Sequence, residues 1–252
     1  MPEQLAFTRL LNALFAGPVT ALLNALGIHT EYSRAPITDA VAMEFLVVVL
    51  LLVIFVLVRS RLSVESPGGL QHVFEGLHGF IEGQSQEIIG HHSQTFTPFL
   101  VALGLFILIS NLFGLIPGLE SPTASPVVPL GCAVCAFFYY HWHGFRRQGI
   151  GYLKQFLGHQ DPGTPLFIRI PVSLLMLVIE PISHLARVLS LTIRLYANIF
   201  AGDMVTLVFF SLVPVVVPVV FLGLHLFVAL LQAFIFVLLT TVYLSGAVGE
   251  EH

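Results

Sequence analysis

Arginine keeps its proton inside a protein, and Arg194 stands in a segment flanked on both sides by mostly apolar residues. A cation at the centre of a bilayer costs from about 3 to well over 10 kcal/mol, depending on the scale. Such a group demands a counter-charge or a wet cavity. The segment around it reads EPISHLARVLSLTIRLYANIFAGD, residues 180–203. Glu180, Arg187, Arg194 and Ala201 recur every seven residues and so share one helix face, flanked by Ser183, Ser190 and Asn198. Asp203, nine residues beyond Arg194, falls on the opposite side. Arg187 reads equally well as a residue that snorkels to a helix end; Arg194 is too far from either end for that. No acid shares its face within one turn, so its counter-charge must come from another helix or another chain. His225 and Gln232, seven residues apart, occupy one face of the last apolar stretch. Each alone reads first as a helix–helix hydrogen-bonding residue. With Asp203 they offer a route for protons through protein.

These residues need elements to hold them, and composition says what kind. Of the 252 residues, 56% are hydrophobic and only 10% are charged, with a mean hydropathy of +0.93. Soluble domains carry about 25% charged residues, so lipid must cover much of this surface. The expected fold class is all-α: a polytopic integral membrane protein with about five crossings, one surface amphipathic helix and two long tilted C-terminal helices. The spans fall at 40–58, 99–116, 127–145, 168–210 and 219–247, in a single membrane domain over 1–252. Residues 168–210 would extend over about 60 Å as one helix, twice the roughly 30 Å of the hydrocarbon layer. Either Pro181 breaks it or it tilts strongly; polar residues spread along its whole length favour the tilt. Pro214 and Pro218 mark the turn into the last helix.

Residues 68–92 differ in kind. Leu70, Val73, Phe74, Leu77, Phe80 and Ile81 alternate with Glu75, Glu82, Glu87 and several histidines, the pattern of an amphipathic helix on the membrane surface. In the outer N-terminal segment, 1–38, Phe7, Leu10, Leu11, Leu14 and Phe15 recur at helical spacing. No basic residue precedes Arg9, and Pro18 interrupts the run. A short interfacial helix retained in the mature protein fits better than a secretory signal.

Arg59, Arg61, Arg146, Arg147 and Lys154 follow the first and third spans, whereas the 118–126 loop and the 214–218 turn carry no basic residue. The positive-inside rule puts the basic group in the cytoplasm, the N-terminus outside and the C-terminus inside. Cys132 and Cys135 form a CxxC in an apolar stretch without a second pair, which favours helix packing over redox or metal chemistry. The net charge of −4 gives no sign of a nucleic-acid partner, and no cofactor is expected.

Two rivals were weighed on the residues. A secondary ion-coupled transporter predicts an internal repeat with Gly/Pro-broken helix pairs, and no repeat is found. A haem-binding membrane enzyme needs paired histidines on facing spans. Here His72, His78, His91 and His92 lie in the surface segment, and His141 and His143 at a span end. No HExxH motif and no nucleotide loop occur.

At residues 190–203, SLTIRLYANIFAGD closely resembles the core motif of subunit a of bacterial F-type ATP synthases. LQAFIFVLLTTVYLS at 231–245, the EEH ending, NLFGLIP at 111–117 and SPTAS at 121–125 are similar to the same family. The likeness covers most of the chain from residue 40 onward. It implies a non-catalytic, proton-translocating subunit of the Fo sector in the inner (plasma) membrane, a proton-channel stator. The arginine matching Arg194 would face the carboxylates of a rotating c-ring. Subunit b and the other ATP synthase subunits would be its further partners. Asn198, Asp203, His225 and Gln232 match positions of the outer half-channel; Glu180, Ser183 and Ser190 match positions toward the inner one. The family often has Glu where Asp203 stands. Gly114 stands where some relatives carry an acid, a role for which Glu120 is the substitute at hand.

Overall fold

The computed structural model describes residues 4–25, 27, 35–63, 68–90, 93–116, 118–152, 166–212 and 216–248. They form seven α-helices: α1 (Ala6–Ala25), α2 (Asp39–Ser60), α3 (Gly69–Ile89), α4 (Thr97–Phe113), α5 (Val127–Gln148), α6 (Leu166–Leu212) and α7 (Val216–Val248). Among the described residues there is no strand. Helix is what a lipid-covered chain requires, because every backbone N–H and C=O must find its partner within the protein.

Local signals set the helix ends. Thr38 caps α2 by accepting the Val41 amide at 3.5 Å, and Asp39 and Arg59 sit at the ends where the helix dipole favours each charge. Arg146 and Arg147 occupy the last turn of α5, which Gly149 closes at φ +57, a backbone angle that glycine adopts without strain.

The length of α6 decides the architecture. It runs 47 residues without a break, and Pro171 and Pro181 lie inside it. The alternative of a break at Pro181 is therefore excluded. Its apolar part, Ile170–Ser211, and Val219–Val248 of α7 both exceed what one upright crossing needs. Among the described residues four helices are long and apolar enough to cross a membrane, namely α1, α2, α6 and α7, and α4 is a shorter apolar helix. The helix expected over 127–145 is present as α5, but His141, His143, Arg146 and Arg147 make its second half more polar than the other spans. Helix α3, Gly69–Ile89, falls within the segment expected as an amphipathic helix, 68–92, and it packs on the bundle: Ile81 is buried, and Ser245 of α7 donates to the Ile88 carbonyl at 2.8 Å.

The N-terminal helix is longer than expected. It passes through Pro18 to Ala25 and reaches the length and apolarity of a span. Its first half is tied to the start of α2. The Leu5 amide donates to Asp39 Oδ1 at 3.1 Å, and the Asn12 side chain exchanges two 3.0 Å bonds with Ile37.

Two clusters make the core. In one, Met43, Val47 and Leu51 of α2 meet Leu100 and Leu105 of α4 and Leu244 of α7. In the other, Leu191, Leu195 and Ile199 of α6 pack on Ala133 and Ala136 of α5 and on Ala233 and Phe236 of α7. Cys132 belongs to this second cluster, Cys135 is exposed and both thiols are free, in keeping with helix packing. Long stretches of α2 and α6 expose Leu, Val, Ile and Phe, among them Val56 at 65% and Leu185 at 65%, which only lipid or another subunit could cover.

Helices α4 and α7 are in close approach at Gly104, where an added Cβ would stand 2.8 Å from Val237 Cγ2. Gly104→Leu should force the two helices apart and cost about 1–3 kcal/mol, the usual range for overpacking. Adding Val237→Ala should recover part of that loss. Thermal unfolding of the detergent-solubilised protein checks both; equal midpoints for Gly104→Leu and the parent would mean that the crossing is looser than described.

Candidate functional site

Helices α6 and α7 run antiparallel, and their polar residues meet in register. Asn198 Nδ2 donates to Gln232 Oε1 at 2.9 Å. Five residues further along α6, Asp203 Oδ1 lies 3.5 Å from Nδ1 of His225, which is seven residues earlier on α7. These four residues, predicted from two separate stretches, meet as two pairs that make a polar seam between α6 and α7. Gln232 and His225 are buried, at 1% and 4% exposure, while a quarter of the Asp203 side chain remains accessible. The His225 Nε2 atom is enclosed, with no hydrogen-bond partner among the described residues. It is the kind of buried polar atom that a water or a proton donor satisfies.

Missing side chains make room for this seam. A Cβ on Gly202 would stand 2.9 Å from His225 Nδ1, so the imidazole rests directly on the α6 backbone. At Gly114, just past α4, a Cβ would stand 3.2 Å from Asp203 Oδ1 and 3.1 Å from Ser121 Cβ. The carboxylate of Asp203 thus fills the space that a side chain at 114 would occupy. Glu120 lies in the loop that follows. It is exposed and within electrostatic reach of Asp39 and Asp203. Partial burial, with Asp39 adding to it, raises its carboxyl above the usual carboxylate value.

Arg194 is elsewhere. Leu191, Leu195 and Ile199 turn into the bundle, which leaves Arg194 and Ala201 on the open face of α6. Among the described residues Arg194 has no ion-pair partner. The heptad spacing holds only in part, because an α-helix drifts about 20° per seven residues. By Arg187 the face has rotated toward α7, and the guanidinium sits 4.9 Å over the Tyr243 ring. Glu180 and Ser183 are half-buried and Ser190 is exposed. These three do not join the seam.

Other polar contacts were not anticipated. Asn111 donates to the Ala229 carbonyl at 3.2 Å and accepts from Thr123 at 2.6 Å. Thr123 is 2.7 Å from the Ser121 hydroxyl, which donates to the Ser110 carbonyl at 2.9 Å. This node fastens the 121–125 loop to α4 and α7. Asn111, an amide inside an apolar span, was the available signal. On the other side of the bundle, Tyr140 Oη is 2.9 Å from His184 Nδ1, and His184 Nε2 is 3.7 Å from Glu180 Oε1. The i, i+4 spacing of Glu180 and His184 could have flagged that pair.

The pattern of the ATP synthase A chain family matches residues 41–245. The chain belongs to that family. Among its relatives, ATP synthase subunit a of Koribacter versatilis is 54% identical over 253 residues, covering all of both chains. The subunit a of Solibacter usitatus is 46% identical, covering 96% of this chain and 99% of its own. ATP synthase subunit a 3 of Pelobacter propionicus is 39% identical over 85% of this chain. Membership makes the protein a multi-pass inner-membrane component of the Fo sector, associated with the other subunits of the synthase. A match across both long helices and the loop node also sets aside the secondary transporter. In this chain the node ties the 121–125 loop to α4 and, through Asn111, α4 to α7.

Thr123→Val removes the donor to Asn111 Oδ1 and strands a buried acceptor, at a cost of about 1–3 kcal/mol. Asn111→Leu added to it should cost less than the two single losses combined, since the pair acts as one unit. Unfolding midpoints in detergent for the three variants read this out; strictly additive losses would contradict a shared node.

Proposed function

We propose that this chain is the non-catalytic, proton-conducting stator subunit of the Fo sector, with Arg194 as the barrier between two aqueous half-channels. The observation that carries the reading is the contrast between Arg194 and the seam behind it. Among the described residues a permanent cation stands without an ion-pair partner on the open face of α6, one to three turns from four polar side chains gathered between α6 and α7. A charge left so exposed in an apolar helix calls for an acid on another chain. A ring of c-subunits carrying carboxylates supplies one after another. Arg194 would favour the ionised form of each carboxylate as it passes and would block direct leakage between the half-channels.

Asn198, Asp203, His225 and Gln232 would line the outer half-channel. Glu180, Ser183 and Ser190 would lead to the inner side. A proton crossing the membrane gains about 2.3 kcal/mol per 100 mV, and that drive becomes ring rotation only while the short circuit stays closed. Subunit b would hold the chain against the turning ring, and catalysis would belong to the soluble partners.

The proposed orientation follows the basic residues: the N-terminus and the 118–126 loop outside, with residue 154 and the C-terminal 250–252 in the cytoplasm. Residues 154 and 250–252 lie outside the described residues. Single cysteines at 120 and 154, introduced after removal of Cys132 and Cys135, test the arrangement in intact cells. An impermeant thiol reagent should label position 120 and spare 154; the reverse result overturns it.

Arg194→Ala should abolish ATP-driven proton pumping by the assembled synthase in inverted membranes. Arg194→Lys should also fail severely, because lysine loses its proton when desolvated and lacks the planar guanidinium. Near-normal pumping by assembled Arg194→Ala complexes would remove the barrier from the mechanism.

A further inference from the structure

Arg187 is a second permanent cation on α6, and neither the polar seam nor the Arg194 barrier makes use of it. It is half-buried, and its side chain is turned onto a neighbouring helix: the guanidinium carbon stands 4.9 Å over the Tyr243 ring of α7. An aromatic face carries the negative side of the ring's charge distribution. It attracts a cation within about 6 Å of its centre, most strongly where both are shielded from water. The Tyr243 ring is held in turn by α5, whose buried Tyr140 packs against it with the ring centres 6.3 Å apart.

The place of this contact along the helix pair is what gives it meaning. From Asn198 to Arg187 is eleven residues on α6, and from Gln232 to Tyr243 is eleven residues on α7. Eleven residues make almost three full turns, so both contacts lie on the faces that α6 and α7 turn toward each other. Because the helices run antiparallel, equal steps down one and up the other keep a single register. Asn198–Gln232 and Arg187–Tyr243 are therefore two rungs of one ladder, and Asp203 opposite His225 continues it beyond the first. Arg194 lies between the two rungs, four residues from Asn198 and seven from Arg187. A slip of one residue would move every α6 side chain about 1.5 Å along the axis and about 100° around it, which breaks both rungs.

We propose that the Arg187–Tyr243 contact fixes the register of α6 against α7 on the far side of Arg194 from the seam, which makes Arg187 a positioning residue for the barrier and for the seam. This inference rests on the reading of Arg194 and the seam as parts of the proton path. A rotor turning against Arg194 pushes on α6, and a helix held at one point can pivot or slide about it. With a rung on either side, the Arg194 guanidinium keeps its height and direction. Arg187 carries no proton across, since a guanidinium does not release its proton inside a protein. It acts only through its hold on Tyr243.

Two readouts on the assembled synthase in inverted membranes separate register from function, with rates expressed per assembled complex. For register, cysteines replace Asn198 and Gln232 after removal of Cys132 and Cys135. The rate at which a short bis-thiosulfonate bridges them reports how often the two positions face each other. Arg187→Gln or Tyr243→Leu should lower that rate about tenfold, the scale of a shielded cation–aromatic contact. Tyr243→Phe keeps the aromatic face and Arg187→Lys keeps the charge, so each should stay within about threefold of the parent. Arg187→Gln and Tyr243→Leu together should be little worse than the worse of the two. For function, the same substitutions with Asn198 and Gln232 in place should slow ATP-driven pumping in the same order. A bridging rate unchanged by Arg187→Gln and Tyr243→Leu, or lowered equally by Phe and Leu at 243, would overturn the inference. A bridging rate that falls while pumping stays at the parental rate would instead overturn the assignment of the seam to the proton path, and this role of Arg187 with it.

Discussion

A charge that cannot be neutralised has to be answered wherever the chain puts it. Arg194 is answered by nothing among the described residues, and the arrangement around it follows from that. Every apolar residue next to it on the inward side of α6 packs into the bundle, so the guanidinium is excluded from the one place where this chain could have supplied an acid. The acids that exist are kept away. Asp203 is on the far side of the helix with His225, and Glu180 is almost four turns off beside His184. The separation keeps the site open to a partner. A local salt bridge would have quenched the charge and left the surface inert.

The second requirement is a polar seam that does not unravel a lipid-covered bundle. Buried amides and imidazoles are tolerated when each finds a partner, and the antiparallel register of α6 and α7 supplies one pairing after another. Small residues do as much as polar ones. At Gly202 and Gly114 the absence of a side chain is what admits the His225 ring and the Asp203 carboxylate. The polar node of Asn111, Ser121 and Thr123 then closes the end of the bundle next to the seam.

Much of this was legible in the sequence, for identifiable reasons. Apolar runs bounded by Pro, Arg and Gly are long-range signals, so the helices over 40–58, 99–116 and 127–145 were visible, as was the unbroken α6. The seam residues were visible because Asn198, Asp203, His225 and Gln232 are polar exceptions in apolar surroundings and match the family motif. Pairing across helices was not legible: nothing in residues 198 and 232 states that they meet. The Tyr140–His184 bond was hidden for the same reason, and each residue read alone is an ordinary aromatic or a histidine at a span. The heptad reading of Glu180, Arg187 and Arg194 overstated their alignment because small angular drifts accumulate. Helix α1 was underestimated because a single proline, decisive in a short helix, is accommodated in this one.

The length of α6 has a mechanical consequence. Its apolar part, Ile170–Ser211, is 42 residues long, or about 63 Å; lying wholly within a layer of about 30 Å, it would incline by about 60° from the normal. Glu180 and Asp203, about 35 Å apart along the axis, are then displaced sideways by about 30 Å but by only about 17 Å in depth. An upright helix would stack the two sites one above the other. An inclined one would lay them out mainly along the plane of the membrane.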